Sequence, residues 1–335
     1  MKSVLLTGAS GTVGSQVLKQ LCEKSDEYSL TVFDKKNKIS YKKLKPFREK
    51  VEIVWGDLTN KNDVDKVCYN KDFVIHLAAI IPPLADKKPD LSWKVNVEGT
   101  KNLIESLEKY SPDTFLLYSS SISVYGDRLK DPWIKTDDPL HPSQGDEYAK
   151  TKIEAEKIIQ NSKLDWTIFR LTAIMGGHKI SELMFHMPLE THLEIATPED
   201  TARAFVNALN KRKQLSKKIF NLGGGEKCRI IYKDFLNRSF EISGLGKPDF
   251  PKYSFAEKNF HCGYYADGDE LENILHFRKD TIDSYFEKQK EKTNKCTKFF
   301  TCIFRSTIIK HLLKKSEPLI AFFSKNIKLK RRFFN

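Results

Sequence analysis

No run of 18 apolar residues occurs in the 335-residue chain, so no segment reads as a membrane-crossing helix. The N-terminus lacks the longer apolar stretch and cleavage site of a secretory signal, and residues 1–6 read instead as the first strand of a sheet. Six cysteines, at 22, 68, 228, 262, 296 and 302, form no CxxC pair and no Cys/His cluster with zinc spacing. They read as reduced thiols of a cytoplasmic protein, with no metal site. Internal repeats and low-complexity linkers are missing from residues 1–287.

Acidic residues are scarce only at one end. The chain holds 57 Lys/Arg and 44 Asp/Glu, yet residues 288–335 hold 14 of the former and only Glu291 and Glu317 of the latter. That segment is therefore at +12 and the remainder at +1, so the whole-chain charge of +13 belongs to a C-terminal extension on a neutral body. With hydrophobic residues at 40% and aromatics at 11%, the body reads as an ordinary folded core with no call for disorder.

A glycine run stands almost at the first residue. Val4-Leu5-Leu6 reads as a strand, and Thr7-Gly8-Ala9-Ser10-Gly11-Thr12-Val13-Gly14 follows at once. Glycines at 8, 11 and 14 remove Cβ atoms where a chain turns tightly and where phosphate oxygens approach the backbone, and the N–H groups of the next helix face the anion. Leu30-Thr31-Val32-Phe33-Asp34 supplies a second strand ending in a carboxylate 20 residues after Gly14. An acid there accepts ribose hydroxyls and repels a 2′-phosphate, which favours NAD. Lys35 and Lys36 leave NADP open, since either can pair with that phosphate.

Further strands read at Val51–Trp55, Phe73–Ala79, Phe115–Tyr118, Trp166–Arg170 and Ile219–Leu222, with helices at Val97–Tyr110, Tyr148–Asn161 and from Pro198. This alternation predicts an α/β fold, a doubly wound parallel sheet (Rossmann) with a small C-terminal substrate lobe. The boundaries read as 1–175 for the dinucleotide domain, 176–287 for the lobe, interleaved with the last Rossmann elements, and 288–335 for the basic helical extension. Two segments carry chemistry: Ser119-Ser120-Ser121-Ile122-Ser123-Val124-Tyr125-Gly126 at a strand end, and Tyr148-Ala149-Lys150-Thr151-Lys152 opening a helix. Tyrosine and lysine four apart share a helical face. Lowering a tyrosine from its ordinary pKa of about 10 by three units takes about 4 kcal/mol, which an ammonium and a nicotinamide cation together can supply.

With these pieces the chain resembles the extended short-chain dehydrogenase/reductases, the NAD-dependent epimerase/dehydratase family, over residues 1–287. The resemblance rests on residues 7–14, Asp34, Gly56-Asp57-Leu58, His76-Leu77-Ala78-Ala79, Asn96-Val97-Glu98-Gly99-Thr100, residues 119–126, residues 148–152, and Phe220-Asn221-Leu222-Gly223-Gly224-Gly225. It implies that Gly8, Ser10, Gly11, Thr12, Val13 and Gly14 hold the pyrophosphate, Asp34 the adenosine ribose, and Asp57 with Leu58 the adenine. Leu77, Ala78 and Ala79 would line the path to the nicotinamide, with Asn96 in support. Tyr148 would be the acid/base, Lys152 would hold the nicotinamide ribose and lower the tyrosine pKa, and Ser121 would bond the reacting oxygen, with Ser123 as rival.

The leading function is an epimerase or oxidoreductase acting on a sugar or sugar-nucleotide. A carbonyl reductase or alcohol dehydrogenase on a lipid-like or small hydroxy/keto substrate is the alternative, and a non-catalytic nucleotide-binding protein is third. Ile122 and Ser123 replace the Asp-Glu pair of the family's dehydratases, which argues against dehydration. The stretch from Gly176 to Pro198 is short for a sugar-nucleotide insert, and Arg170-Leu171 lacks the usual proline. The implied assembly is a homodimer.

In the extension, Ser316-Glu317-Pro318 reads as a helix start. At 3.6 residues per turn Leu319, Ile320, Phe322, Phe323, Ile327, Leu329, Phe333 and Phe334 share one half of a helix, opposite Lys325, Lys328, Arg331 and Arg332. Only Lys330 violates the division. A helix break is expected near Arg305-Ser306-Thr307. Residues 298–335 thus read either as a peripheral anchor for an anionic membrane on its cytosolic face or as helices packed on the body or a second subunit. Nucleic acid is disfavoured, because the phenylalanines do not alternate with the charges.

Overall fold

Seven strands with apolar residues on both faces build one parallel sheet in the computed structural model, which describes residues 1–176 and 182–334. They are β1 (Lys2–Thr7), β2 (Tyr28–Asp34), β3 (Glu52–Trp55), β4 (Phe73–His76), β5 (Phe115–Ser121), β6 (Asp165–Leu171) and β7 (Lys218–Leu222). The order across the sheet is β7-β6-β5-β4-β1-β2-β3, the doubly wound Rossmann arrangement. Leu6 pairs with Val32 of β2 on one side and Ile75 of β4 on the other, so the chain reverses its winding at β1. In sheets of this kind a ligand binds at that reversal, outside the C-terminal ends of β1 and β4.

Helices cover both faces. On one, α1 (Thr12–Cys22) buries Val17, Leu18 and Leu21 beside α4 (Pro198–Ala208), whose Ala204, Phe205 and Ala208 enter the same core. On the other, α2 (Gly99–Tyr110) and α3 (Glu147–Gln160) cover Leu5, Val74, Leu116 and Ile168. A π-helical turn, Lys94–Glu98, leads into α2, so the helix expected from Val97 begins earlier. Strand β5 extends three residues beyond the expected Tyr118, through the serines.

The lobe has its own three-stranded sheet, Ala173–Ile174, His192–Ala196 and Arg229–Ile231, backed by α5 (Tyr232–Ser243) and α6 (Ile282–Lys292). Helix α6 crosses residue 287, so the change in charge composition falls inside an element. The short stretch after Gly176 lies in part, at residues 177–181, outside the described residues.

Four short helices follow: α7 (Lys295–Ile303), α8 (Arg305–Leu313), α9 (Glu317–Phe323) and α10 (Ile327–Phe333). The expected break falls at Phe304. The single amphipathic helix expected from Pro318 is instead two helices, because Ser324 is extended and the Asn326 side chain accepts the Leu329 N–H at 3.0 Å to start a new one. The turn lets both helices bury aromatics against the lobe. Phe322 stacks on Tyr253 at 3.7 Å, Phe333 and Phe334 are buried with Ala256, and the Glu257 N–H bonds the Phe333 carbonyl at 2.8 Å. Packing wins here because flat apolar rings find complementary rings. Phe333→Ala is expected to cost about 3 kcal/mol in denaturant unfolding and to expose residues 314–326 to protease. An unchanged cleavage pattern would show that the contact contributes little.

Candidate active site

The glycine loop leaves β1 at the switch point, and its geometry has no room for side chains. Gly8 has φ +73°, and a Cβ there would lie 2.7 Å from the Ala78 nitrogen. A Cβ on Gly14 would lie 2.1 Å from the Gly8 carbonyl oxygen. Thr12 and Val13 open α1, whose N-cap Gly11 offers no side chain to the first-turn N–H groups, which leaves them for an anion. The Ser10 N–H bonds Asp34 Oδ2 at 2.8 Å, tying the loop to the end of β2. The Ala78 N–H bonds Thr7 Oγ1 at 3.2 Å, which draws the segment Leu77-Ala78-Ala79 beside the loop.

Asp57 pairs with Lys35 at 2.7 Å and accepts the Thr59 N–H and hydroxyl. Burial pushes its carboxyl up, and Lys35 with Thr59 more than offsets that, so the net shift is downward. Lys35 is thus drawn away from the role that left NADP open, while Lys36 stays exposed. Leu58 is buried beside Gly99. Asn96, in the π-helical turn, clasps the backbone of Ile80 with Oδ1 at 2.7 Å and Nδ2 at 2.9 Å, and Nδ2 also reaches Thr151 on α3 at 3.0 Å. A widened helical turn puts that amide where one side chain spans two elements.

Ser121 ends β5, and Tyr148 stands in the first turn of α3, which Asp146 caps by accepting the Ala149 N–H at 2.8 Å. The Ser121 hydroxyl lies near enough to the Tyr148 phenol to pull its pKa down. Ser123 is fully buried and donates to Ser121 Oγ at 3.0 Å. Lys152, one turn further along α3, is buried under the site. Its ammonium donates to the Ser119 carbonyl at 2.7 Å and the Tyr118 hydroxyl at 3.3 Å, and lies 5.6 Å from the Tyr148 ring centroid.

Burial dominates both ionisations. It pushes the Tyr148 phenol up, Asp146 adds to the rise, and Ser121 opposes it. It brings Lys152 down to about 7, with Glu156 opposing. The lysine thus does not by itself produce the lowered tyrosine expected from sequence, because desolvation exceeds its attraction at this distance.

A folded-state pKa below the ordinary lysine value means that the unfolded chain binds the proton more tightly. The cost of folding around Lys152 is then full below pH 7 and fades as pH rises from 7 toward the unfolded value of about 10.4. Relative to Lys152→Met, the wild type is expected to gain stability over that window. Denaturant unfolding of both proteins across it would reveal a flat difference if the ammonium were solvated.

Several supporting residues went unread in the sequence. His76 bridges Thr7 Oγ1 at 2.7 Å and Thr100 Oγ1 at 3.0 Å, and burial followed by the charge of Lys152 lowers it to about 3, so it is neutral. Glu156 and Arg170, 1% and 4% exposed, form a two-pronged ion pair at 2.8 and 3.0 Å. Arg170 also donates to Tyr125 Oη at 2.8 Å, and Tyr125 donates to Asn221 at 2.7 Å. Only the i, i+4 spacing of Lys152 and Glu156 could have signalled any of this.

A family model described as NAD dependent epimerase/dehydratase family matches residues 4–223. Sterol-4-alpha-carboxylate 3-dehydrogenase, decarboxylating, of Schizosaccharomyces pombe is 29% identical over 52% of this chain and 51% of its own. UDP-glucose 4-epimerase of the same organism is 31% identical over 54% of each. The chain spans about half the length of these curated relatives. In structure, UDP-glucuronic acid 4-epimerase from Bacillus cereus, in complex with UDP-glucuronic acid and NAD, superposes with a TM-score of 0.71 over 86% of this chain and 98% of that one, at 20% identity, which speaks to the fold. The matched span covers the glycine cradle, the serine strand end and the Tyr/Lys helix, and the chain belongs to the NAD-dependent epimerase/dehydratase family.

Proposed function

We propose that the protein transfers hydride at a carbinol carbon of a sugar or sugar-nucleotide, as an NAD-dependent epimerase or oxidoreductase, through Ser121, Tyr148 and Lys152. The observation that carries the reading is Tyr148 on α3 over a buried Lys152 that is bonded to Ser119 of β5, with Ser121 at the end of the same strand, beside a cradle that excludes side chains. Gly8, Gly11 and Gly14 would hold the pyrophosphate and Asp34 the ribose. Bound NAD in its oxidised form would accept the hydride, and its positive ring would favour the phenolate.

The chain's own part is proton handling. Tyr148 Oη takes the proton from the substrate hydroxyl and later returns it to the same oxygen. Ser121 Oγ donates to that oxygen and holds it while charge develops. Lys152, fixed by Ser119 and Tyr118, keeps a cation below the phenol. Ser121→Ala is expected to lower kcat by about 10²- to 10³-fold, and Ser123→Ala by less than about tenfold. Equal losses would restore Ser123 as rival.

A reductase or dehydrogenase acting on a lipid-like substrate is the second reading, favoured by the likeness to a sterol dehydrogenase. Mass spectrometry of small molecules retained by the purified protein tests both. Retained NAD with turnover that leaves 340 nm absorbance unchanged supports epimerisation. Stoichiometric NADH with a sterol-like alcohol supports the second.

A further inference from the structure

We propose that helix α7, with the start of α8, docks on the surface of an anionic lipid bilayer. Phe299, Phe300, Ile303 and Phe304 are 63, 57, 58 and 55% exposed, and no residue of α7 is buried. Their i, i+1, i+4, i+5 spacing puts the four on one helical face. The other side of the segment is held to the lobe. Cys302 Sγ reaches the Gly244 carbonyl at 3.2 Å, and Arg305 donates to the Lys247 carbonyl at 2.9 Å. The helix is thus fixed with its aromatic face outward, against the usual preference of a helix on a folded body.

Charge selects the occupant. Among the described residues Lys292, Lys295, Lys298, Lys310, Lys314 and Lys315 make no ion pair within 4 Å, and residues 288–335 carry +12 in total. A second copy of this chain would bring that charge against itself. A nucleic acid would meet the lysines but leave three contiguous phenylalanines without a role. An anionic bilayer satisfies both, with rings entering the headgroup boundary and ammonium groups at lipid phosphates and carboxylates. The aromatic groups of α9 and α10 that the sequence offered for this purpose are largely spent on the lobe, where Phe333 and Phe334 are buried and Phe322 is stacked. The inference concerns where the protein sits and does not rest on the reaction it performs.

The test uses the full chain and flotation with phosphatidylcholine vesicles, with and without phosphatidylserine. Two variants are compared with the wild type: Phe299→Ser/Phe300→Ser/Ile303→Ser/Phe304→Ser, and Lys295→Glu/Lys298→Glu. All six side chains are exposed, and unchanged thermal unfolding confirms folding. The expected result is flotation with phosphatidylserine vesicles only, weakened by salt, and reduced on the order of 100-fold by the first variant and tenfold by the second. Flotation that ignores lipid charge, or that both variants retain, overturns the proposal. So does a wild type that stays with the soluble fraction, or variants that alter only the oligomeric state or nucleic-acid retention.

Discussion

Tyr148→Phe is expected to lower kcat by about 10³- to 10⁴-fold while NAD affinity stays within about twofold. The substitution removes one oxygen and keeps the ring, so α3 retains its Asp146 cap and Lys152 keeps its bonds to Ser119 and Tyr118. What disappears is the phenol proposed to exchange a proton with the substrate oxygen. Because the residual serine can hold the oxygen but does not take up its proton, the loss should exceed that of Ser121→Ala. Single-turnover absorbance at 340 nm and a fluorescence titration of NAD separate the two quantities. Turnover that survives the substitution would remove Tyr148 from the chemistry.

Arg170→Met is expected to destabilise the fold by about 3–5 kcal/mol, with the double variant Arg170→Met/Glu156→Leu recovering most of that loss. Glu156 and Arg170 are buried together between α3 and β6, and Ser120 donates to the carboxylate. Burial opposes the guanidinium charge, and Glu156 more than offsets it, so the arginine is held above its ordinary value. Removing only the arginine leaves a carboxylate with no counter-ion in a dry site. Removing both leaves apolar groups of similar shape. Denaturant unfolding of the three proteins checks this, and a double variant no better than the single would show that Arg170 acts chiefly through Tyr125 and the Thr136 carbonyl. The same pair bears on the reaction, since Glu156 sits one turn beyond Lys152 and raises its pKa.

The cofactor cradle was legible because its signal is local. A strand, three glycines and a helix occupy 21 consecutive positions, and the steric demand on Gly8 and Gly14 is met within them and by Ala78. The motifs that hold Asp34, the serine strand end and Tyr148 with Lys152 are local in the same way. The boundaries moved by a few residues, as with β5 and the turn before α2, because hydrogen-bonded neighbours extend a strand further than its own apolar run suggests. The stretch from Ser316 was read wrongly as one helix. Helical periodicity says which residues share a face while the chain stays helical, and Ser324 and Asn326 end that condition.

What the sequence by itself determined was the kind of fold and the family's dinucleotide cofactor, and it supplied the residues proposed for proton transfer, because each rests on spacing along a few turns or one strand end. Tertiary structure decided their state. Lys152 comes to about 7 and Tyr148 rises because residues from β4, β5 and α3 exclude water around them, which no spacing records. Glu156 finds Arg170 14 residues away and Tyr125 finds Asn221 96 residues away, since burial of charge and hydroxyl groups demands partners wherever the fold brings them. The same logic divided the tail, with aromatics that met rings on the lobe buried and those of α7 left facing outward.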